Sequence, residues 1–223
     1  IHGAVKNAIA HVVEILEREV NGVTDNPILF PETDEVVSAG MFHGQQISMA
    51  MDYLGMSLAT LANVSERRIE QLVNPDLSDL PAFLAPKPGL HSGYMIAQVA
   101  AAALASENKV HAHPASVDTV PTSANQEDHV SMGVTAARKA RTILENTEQV
   151  IAIELLCAAQ GREFHPELRA GRGAQALHDH LRESVPPLFR DRYAHTDIEA
   201  SVKVVRDGTA LAAVEAKTGR LKS

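Results

Sequence analysis

Tryptophan is absent from this chain of 223 residues, and only three Tyr and five Phe stand in for it. A core without large aromatics must be filled by Ala, Leu, Val, Ile and Met, a palette that suits packed helices better than a sheet sandwich. Cysteine occurs once, at Cys157, so no internal disulfide can form. That fits a reducing compartment and a cytoplasmic location. Within "VIAIELLCAA" the thiol reads as a small buried hydrophobe. No apolar run reaches the roughly 20 residues that span a bilayer, and the N-terminus lacks the pattern of a signal peptide. Excess positive charge is missing too. The net charge is -8, which argues against nucleic acid or an anionic membrane as the main partner. Absent as well are a Gly-rich phosphate loop, a dinucleotide fingerprint, a Gly-x-Ser-x-Gly elbow and the His-Glu-x-x-His and Cys-x-x-Cys metal motifs.

What is present is helical periodicity. Val5, Ile9, Val12, Leu16 and Val20 predict a helix over 3–21. Ile47, Met51, Leu54, Leu58 and Leu61 predict an apolar stripe on a helix over 43–73, with Met49 and Met56 off the stripe and available to further neighbours. "QVAAAALASEN" centres a helix over 94–110, whose small side chains allow close helix approach. A long helix follows from near Val130 to Gly161, and two shorter ones over 173–184 and 197–217. Between the first two helices, "ILF" and "EVVSAG" around "PETDE" predict a small extended excursion near residues 28–40. The fold class expected is all-α, a long-helix bundle forming a single helical domain over 1–223. "IHGAVKNAIAHVVEILEREV" begins in mid-pattern with no capping residue, as a piece of a longer chain would. Long helices with apolar residues on several faces favour self-association.

Polar groups concentrate in the loops. "TDNP" at 24–27 has turn composition. His111 and His113 in "HAHP" lack a metal-site spacing and read as loop histidines with local hydrogen bonds. Glu154, inside an apolar run, reads as an interhelical ion pair or a partly exposed face, with a functional role as the alternative. "AGMFHGQQ" sets Phe42 and His43 between two glycines ahead of a long helix, as a core anchor or as a pocket wall. The densest cluster is "TSANQEDHVSMG", residues 122–133. A helix cap accounts for one or two of its members. It does not account for Asn125, Gln126, Glu127, Asp128 and His129 together, which could equally grip a polar small molecule.

"HPASVDTVPTSANQEDHVSMG" closely resembles histidine ammonia-lyase. "VNGVTDNPILF", "FHGQ", "SERRIEQLVNP", "LPAFL", "SGYMIAQVAAAALASENK" and "ENTEQVIAIELLCAAQ" resemble the same family in the same order, over about residues 1–200. The resemblance implies the C-terminal part of an all-α, homotetrameric enzyme whose active sites each draw on three subunits. Such enzymes eliminate ammonia from L-histidine to give trans-urocanate, with an electrophilic methylidene-imidazolone made from an internal Ala-Ser-Gly. No Ala-Ser-Gly occurs in this chain. The cofactor, a catalytic Tyr and a carboxylate-binding Arg would belong to a missing N-terminal half, and the chain by itself would be inactive.

The resemblance assigns Glu127 and Phe42 as catalytic: Phe42 beside the electrophile, Glu127 on the substrate's imidazole or ammonium or in proton transfer. Gln126, Asn125 and His43 fall in the substrate-binding shell, while Asp128 and Ser131 would serve the helix start. Glu127, where phenylalanine-specific relatives tend to carry Gln, favours histidine. Two positions depart from the family pattern. Met41, preceded by Ala39 and Gly40, replaces the usual Asn before the Phe, and Gln46 stands where Pro or another residue is usual. Loss of that amide removes a hydrogen bond beside the electrophile. A tyrosine or phenylalanine ammonia-lyase or aminomutase therefore stays open, as does a non-catalytic helical assembly fragment.

Overall fold

The computed structural model describes residues 1–38 and 41–221, so Ala39 and Gly40, the end of the predicted excursion, lie outside the described residues. The elements run α1 (His2–Val20), β1 (Ile28–Phe30), β2 (Glu35–Val37), α2 (Gln45–Val73), α3 (Met95–His111), α4 (Gly133–Arg162), α5 (Arg172–Ser184), α6 (Ala194–Arg206) and α7 (Thr209–Thr218). The all-α expectation holds. The excursion is an antiparallel hairpin that pairs Ile28 with Val37 and Phe30 with Glu35. The chain divides into two compact units, one of residues 1–60 and 108–144 and one of residues 61–107 and 145–223.

In the first unit, α1 buries Val5, Ala8 and Val12. The buried positions of α2 here are Ser48, Ala50, Asp52, Gly55 and Leu58. The stripe expected from Ile47, Met51 and Leu54 is only half-buried, with Leu58 alone of its members in this unit fully covered. The reason is close approach: a Cβ on Gly55 would lie 3.0 Å from Ile143 Cδ1 and 3.9 Å from the Ala140 Cα, both on α4. Only small groups fit on that line, so the face of α2 against α4 is set by size rather than by hydrophobicity. Asp52 on the same face has partners. The Asp52 carboxylate accepts the Ser116 amide at 2.7 Å, and Lys139 Nζ stands 3.7 Å away. Met49, Tyr53 and Met56 are left exposed.

In the second unit, Ile69, Leu84, Val150, Ile153, Leu156, Cys157, Leu181 and Val185 form the core. Cys157 is fully buried, and burial pushes its thiol well above the ordinary range, so it packs as a hydrophobe. α3 covers one face here, through Ala97, Ala101 and Ala105, while Ile96 and Val99 stay exposed. Glu154 has the predicted ion pair. Arg68 grips both of its carboxylate oxygens, and Ser65 Oγ donates to Oε2 at 2.5 Å. Gln160 satisfies both ends of its buried amide on one residue, accepting from Leu188 N at 2.9 Å and donating to Leu188 O at 3.1 Å. The single helix expected over 197–217 is two helices. Gly208 adopts a left-handed φ of 74°, and Asp207 Oδ1 accepts the Thr209 amide at 2.9 Å to start α7.

Replacing Gly55 by Leu forces α2 and α4 apart. The expected cost is about 1–3 kcal/mol, read as a lower urea midpoint in unfolding followed by far-UV circular dichroism.

Candidate functional site

The predicted site residues all belong to the first unit, on two stretches of chain. Phe42 lies in a single 3-10 turn, Met41–His43, just ahead of α2. Phe42 is 57% exposed, so within this chain it is not a core anchor. The second stretch is the loop between α3 and α4. Here Ser123, Ala124 and Asn125 take φ values of 50°, 55° and 72°, three successive residues in the left-handed region. Each such residue costs roughly 1–2 kcal/mol. The turn is held shut by the Thr122 amide on the Glu127 carbonyl at 3.1 Å and the Asn125 amide on the Thr122 carbonyl at 2.9 Å. Asn125, Gln126 and Glu127 therefore ride on one closed loop, and all three side chains are exposed.

Glu127 is fully exposed, yet its pKa is lowered. Hydrogen bonds from the Ser123 and Thr122 hydroxyls favour the anion, that from Thr122 Oγ1 spanning 3.0 Å to Oε2, against a smaller opposing effect of desolvation. The carboxylate is thus held ionised by its own loop. A depressed carboxylate pKa contributes stability above the unfolded value, which is lost as pH falls through the folded value.

The two stretches meet at His43. Its Nε2 donates to the His129 carbonyl at 2.7 Å, and the two imidazoles stack with centroids 5.5 Å apart and planes 9° from parallel. Ser131 Oγ donates to the His43 carbonyl at 2.5 Å. Ser131 was expected at the helix start, but its hydroxyl closes this contact instead, and the first bond of α4 runs from the Ala136 amide to the Met132 carbonyl at 2.9 Å. Two buried polar atoms near the head of α2, Gln45 Oε1 and Ser48 Oγ, have no partner among the described residues. Neither is legible from sequence, because an amide and a hydroxyl in a helix's first turn look like ordinary capping groups.

Among the described residues, no cluster of His, Cys, Asp and Glu could hold a metal ion. The His113 main-chain carbonyl accepts a hydrogen bond from Lys139 Nζ, 26 residues away. A groove of about 590 Å³ in the same unit is lined by His11, Met49, Tyr53, Met56, Pro114 and Val117 among others. It contains neither Phe42 nor Glu127 and is largely apolar, so it is not the polar grip predicted for the loop.

A sequence model described as aromatic amino acid lyase matches residues 1–183. The chain belongs to the aromatic amino acid lyase family. It is 56% identical to the histidine ammonia-lyase of Symbiobacterium thermophilum over 222 residues, all of this chain and 44% of that protein. With the enzyme of that name from Natranaerobius thermophilus it shares 53% over 223 residues, again 44% of the relative. The crystal structure of histidine ammonia-lyase from Trypanosoma cruzi superimposes with a TM-score of 0.93 at 48% identity, over 97% of this chain and 43% of that one. A tyrosine aminomutase from Streptomyces globisporus gives 0.92 at 38% identity, over 98% and 42%. The chain thus spans less than half the length of these relatives. Asn125, Gln126, Glu127 and Phe42 are all exposed to solvent.

Removing both hydroxyls, in a Thr122→Val/Ser123→Ala variant, should raise the Glu127 pKa toward the ordinary carboxylate range. An NMR titration of the Glu127 side-chain carboxyl carbon reads this directly. An unchanged midpoint would show that the hydroxyls do not hold the anion.

Proposed function

We propose that this chain forms the C-terminal part of a cytoplasmic ammonia-lyase that converts L-histidine to trans-urocanate and ammonia. The observation that carries the reading is Glu127, an anion pre-set by its own turn on the loop that the pinned His43 joins to the exposed ring of Phe42. The names of the relatives at 53% and 56% identity support histidine as substrate. Fold alone does not separate the choices, since a tyrosine aminomutase matches almost as well in shape; its 38% identity places it second.

The reaction breaks the Cα–N and Cβ–H bonds of the amino acid and forms a carbon–carbon double bond. Its difficulty is a weakly acidic β-proton and a poor leaving group. The methylidene-imidazolone of this family, when bound, supplies an electrophile that makes the amine a better leaving group. The residues present fit such a neighbour: Phe42 offers an exposed flat face, and Gln45 Oε1 and Ser48 Oγ at the adjoining head of α2 leave hydrogen-bonding capacity open. Phe42 would pack against the group and exclude water. The Glu127 carboxylate would accept a hydrogen bond from the substrate's imidazole or ammonium N–H, an interaction that strengthens once the site is closed from solvent. Gln126 and Asn125 would orient the same shell. The exposed apolar side chains Ile9, Val13, Met49, Tyr53 and Met56 support burial in a homotetramer.

The test uses the full-length protein and follows urocanate absorbance with histidine, and the corresponding acrylates with phenylalanine and tyrosine. Product from histidine only is the expected result. Product only from an aromatic substrate overturns it. In the same assay Glu127→Ala should lower kcat by at least about 100-fold, the scale of an electrostatic or acid–base group. A near-normal rate would remove Glu127 from the chemistry.

A further inference from the structure

Phe42 and Glu127 come from distant parts of the sequence, so something must set the space between them. His43 and His129 lie 86 residues apart and are their near neighbours, one position after Phe42 and two after Glu127. Two contacts join them, and a third ties His43 to Ser131. His43 Nε2 donates to the His129 carbonyl at 2.7 Å, the rings stack at 5.5 Å, and Ser131 Oγ donates to the His43 carbonyl at 2.5 Å. The side chain and the main-chain carbonyl of His43 are thus tied to the same short stretch. The residue cannot turn about its backbone without breaking both bonds. Donation from Nε2 also fixes the proton on that nitrogen.

On its far side Glu127 is held by Thr122, through the amide at 3.1 Å and the hydroxyl at 3.0 Å. The Val130 amide donates to Thr119 Oγ1 at 2.8 Å, fixing the same stretch just beyond His129. Glu127 is therefore anchored before and after, and His43 is the tether that carries that anchoring to the Phe42 turn.

We infer that His43 is a positioning residue that sets the placement of the Phe42 ring relative to the Glu127 carboxylate, and does not bind substrate itself. The inference rests on the functional reading above. A misplacement of about 1 Å can cost on the order of 100-fold in rate even when the displaced groups remain present. A tether therefore acts on kcat through residues it does not replace.

A double-mutant cycle in the full-length protein tests this. His43→Phe keeps a stackable ring and loses the donor; His43→Gln puts an amide N–H near the Nε2 position. His43→Phe should lower kcat about tenfold with KM within about twofold, and His43→Gln should recover most of the rate. In a Glu127→Gln background the same His43→Phe change should cost less than about twofold, because residues acting through one another are not additive. A tenfold loss in both backgrounds, a raised KM at unchanged kcat, or a wild-type rate for His43→Phe each overturns the inference. If Glu127→Gln itself turns over normally, the functional reading falls and this one with it. If Glu127→Gln is slow and His43→Phe is not, only the tether falls. Should His43→Phe not fold, His43→Asn, which moves the amide away from the Nε2 position, takes its place in the cycle.

Discussion

Gly55 leaves room for no side chain, and much of the first unit depends on that. With Ile143 Cδ1 3.0 Å from where a Cβ would be, the Ile143 side chain on α4 packs directly against the α2 backbone. The two helices begin where the two stretches end: α2 follows the Phe42 turn, and α4 follows the Glu127 loop. Their near contact brings the starting points together, and short bonds such as those at His43 can then close the remaining gap. A larger side chain at position 55 would have to displace Ile143 and shift α2 relative to α4.

The loop itself stores strain. Three successive residues in the left-handed region, none of them glycine, persist only because Thr122 and Glu127 clamp the ends of the turn. The reward is local: the clamp that holds the turn also supplies a hydroxyl to the Glu127 carboxylate. A relaxed loop would leave the same residues pointing in many directions, and ordering them would then have to come from ligand binding.

The helices were readable because period and propensity agree with tertiary structure, and Glu154 because a carboxylate in an apolar run demands a partner. The buried face of α2 was not readable, since hydrophobicity marks Ile47, Met51 and Leu54 while the contact selects Gly55 and Ser48 for size. The break at Asp207 and Gly208 was missed for a related reason. Helical spacing continues across it, and only the left-handed φ of Gly208 and the turn closed by Asp207 on the Thr209 amide interrupt the chain. For the site, resemblance supplied the residues, and residue chemistry by itself left cap and grip evenly matched. The stacking of His43 on His129 depends on a contact between distant segments, which no local pattern encodes.

Glu127 carries its charge with or without anything lying over it, because the hydroxyls that favour the anion belong to its own turn. Covering an ionised carboxylate costs several kcal/mol unless the incoming surface brings a cation or well-placed donors. A closing surface that is merely apolar and of the right shape is therefore rejected at this loop, and one bearing an N–H or a positive charge is retained.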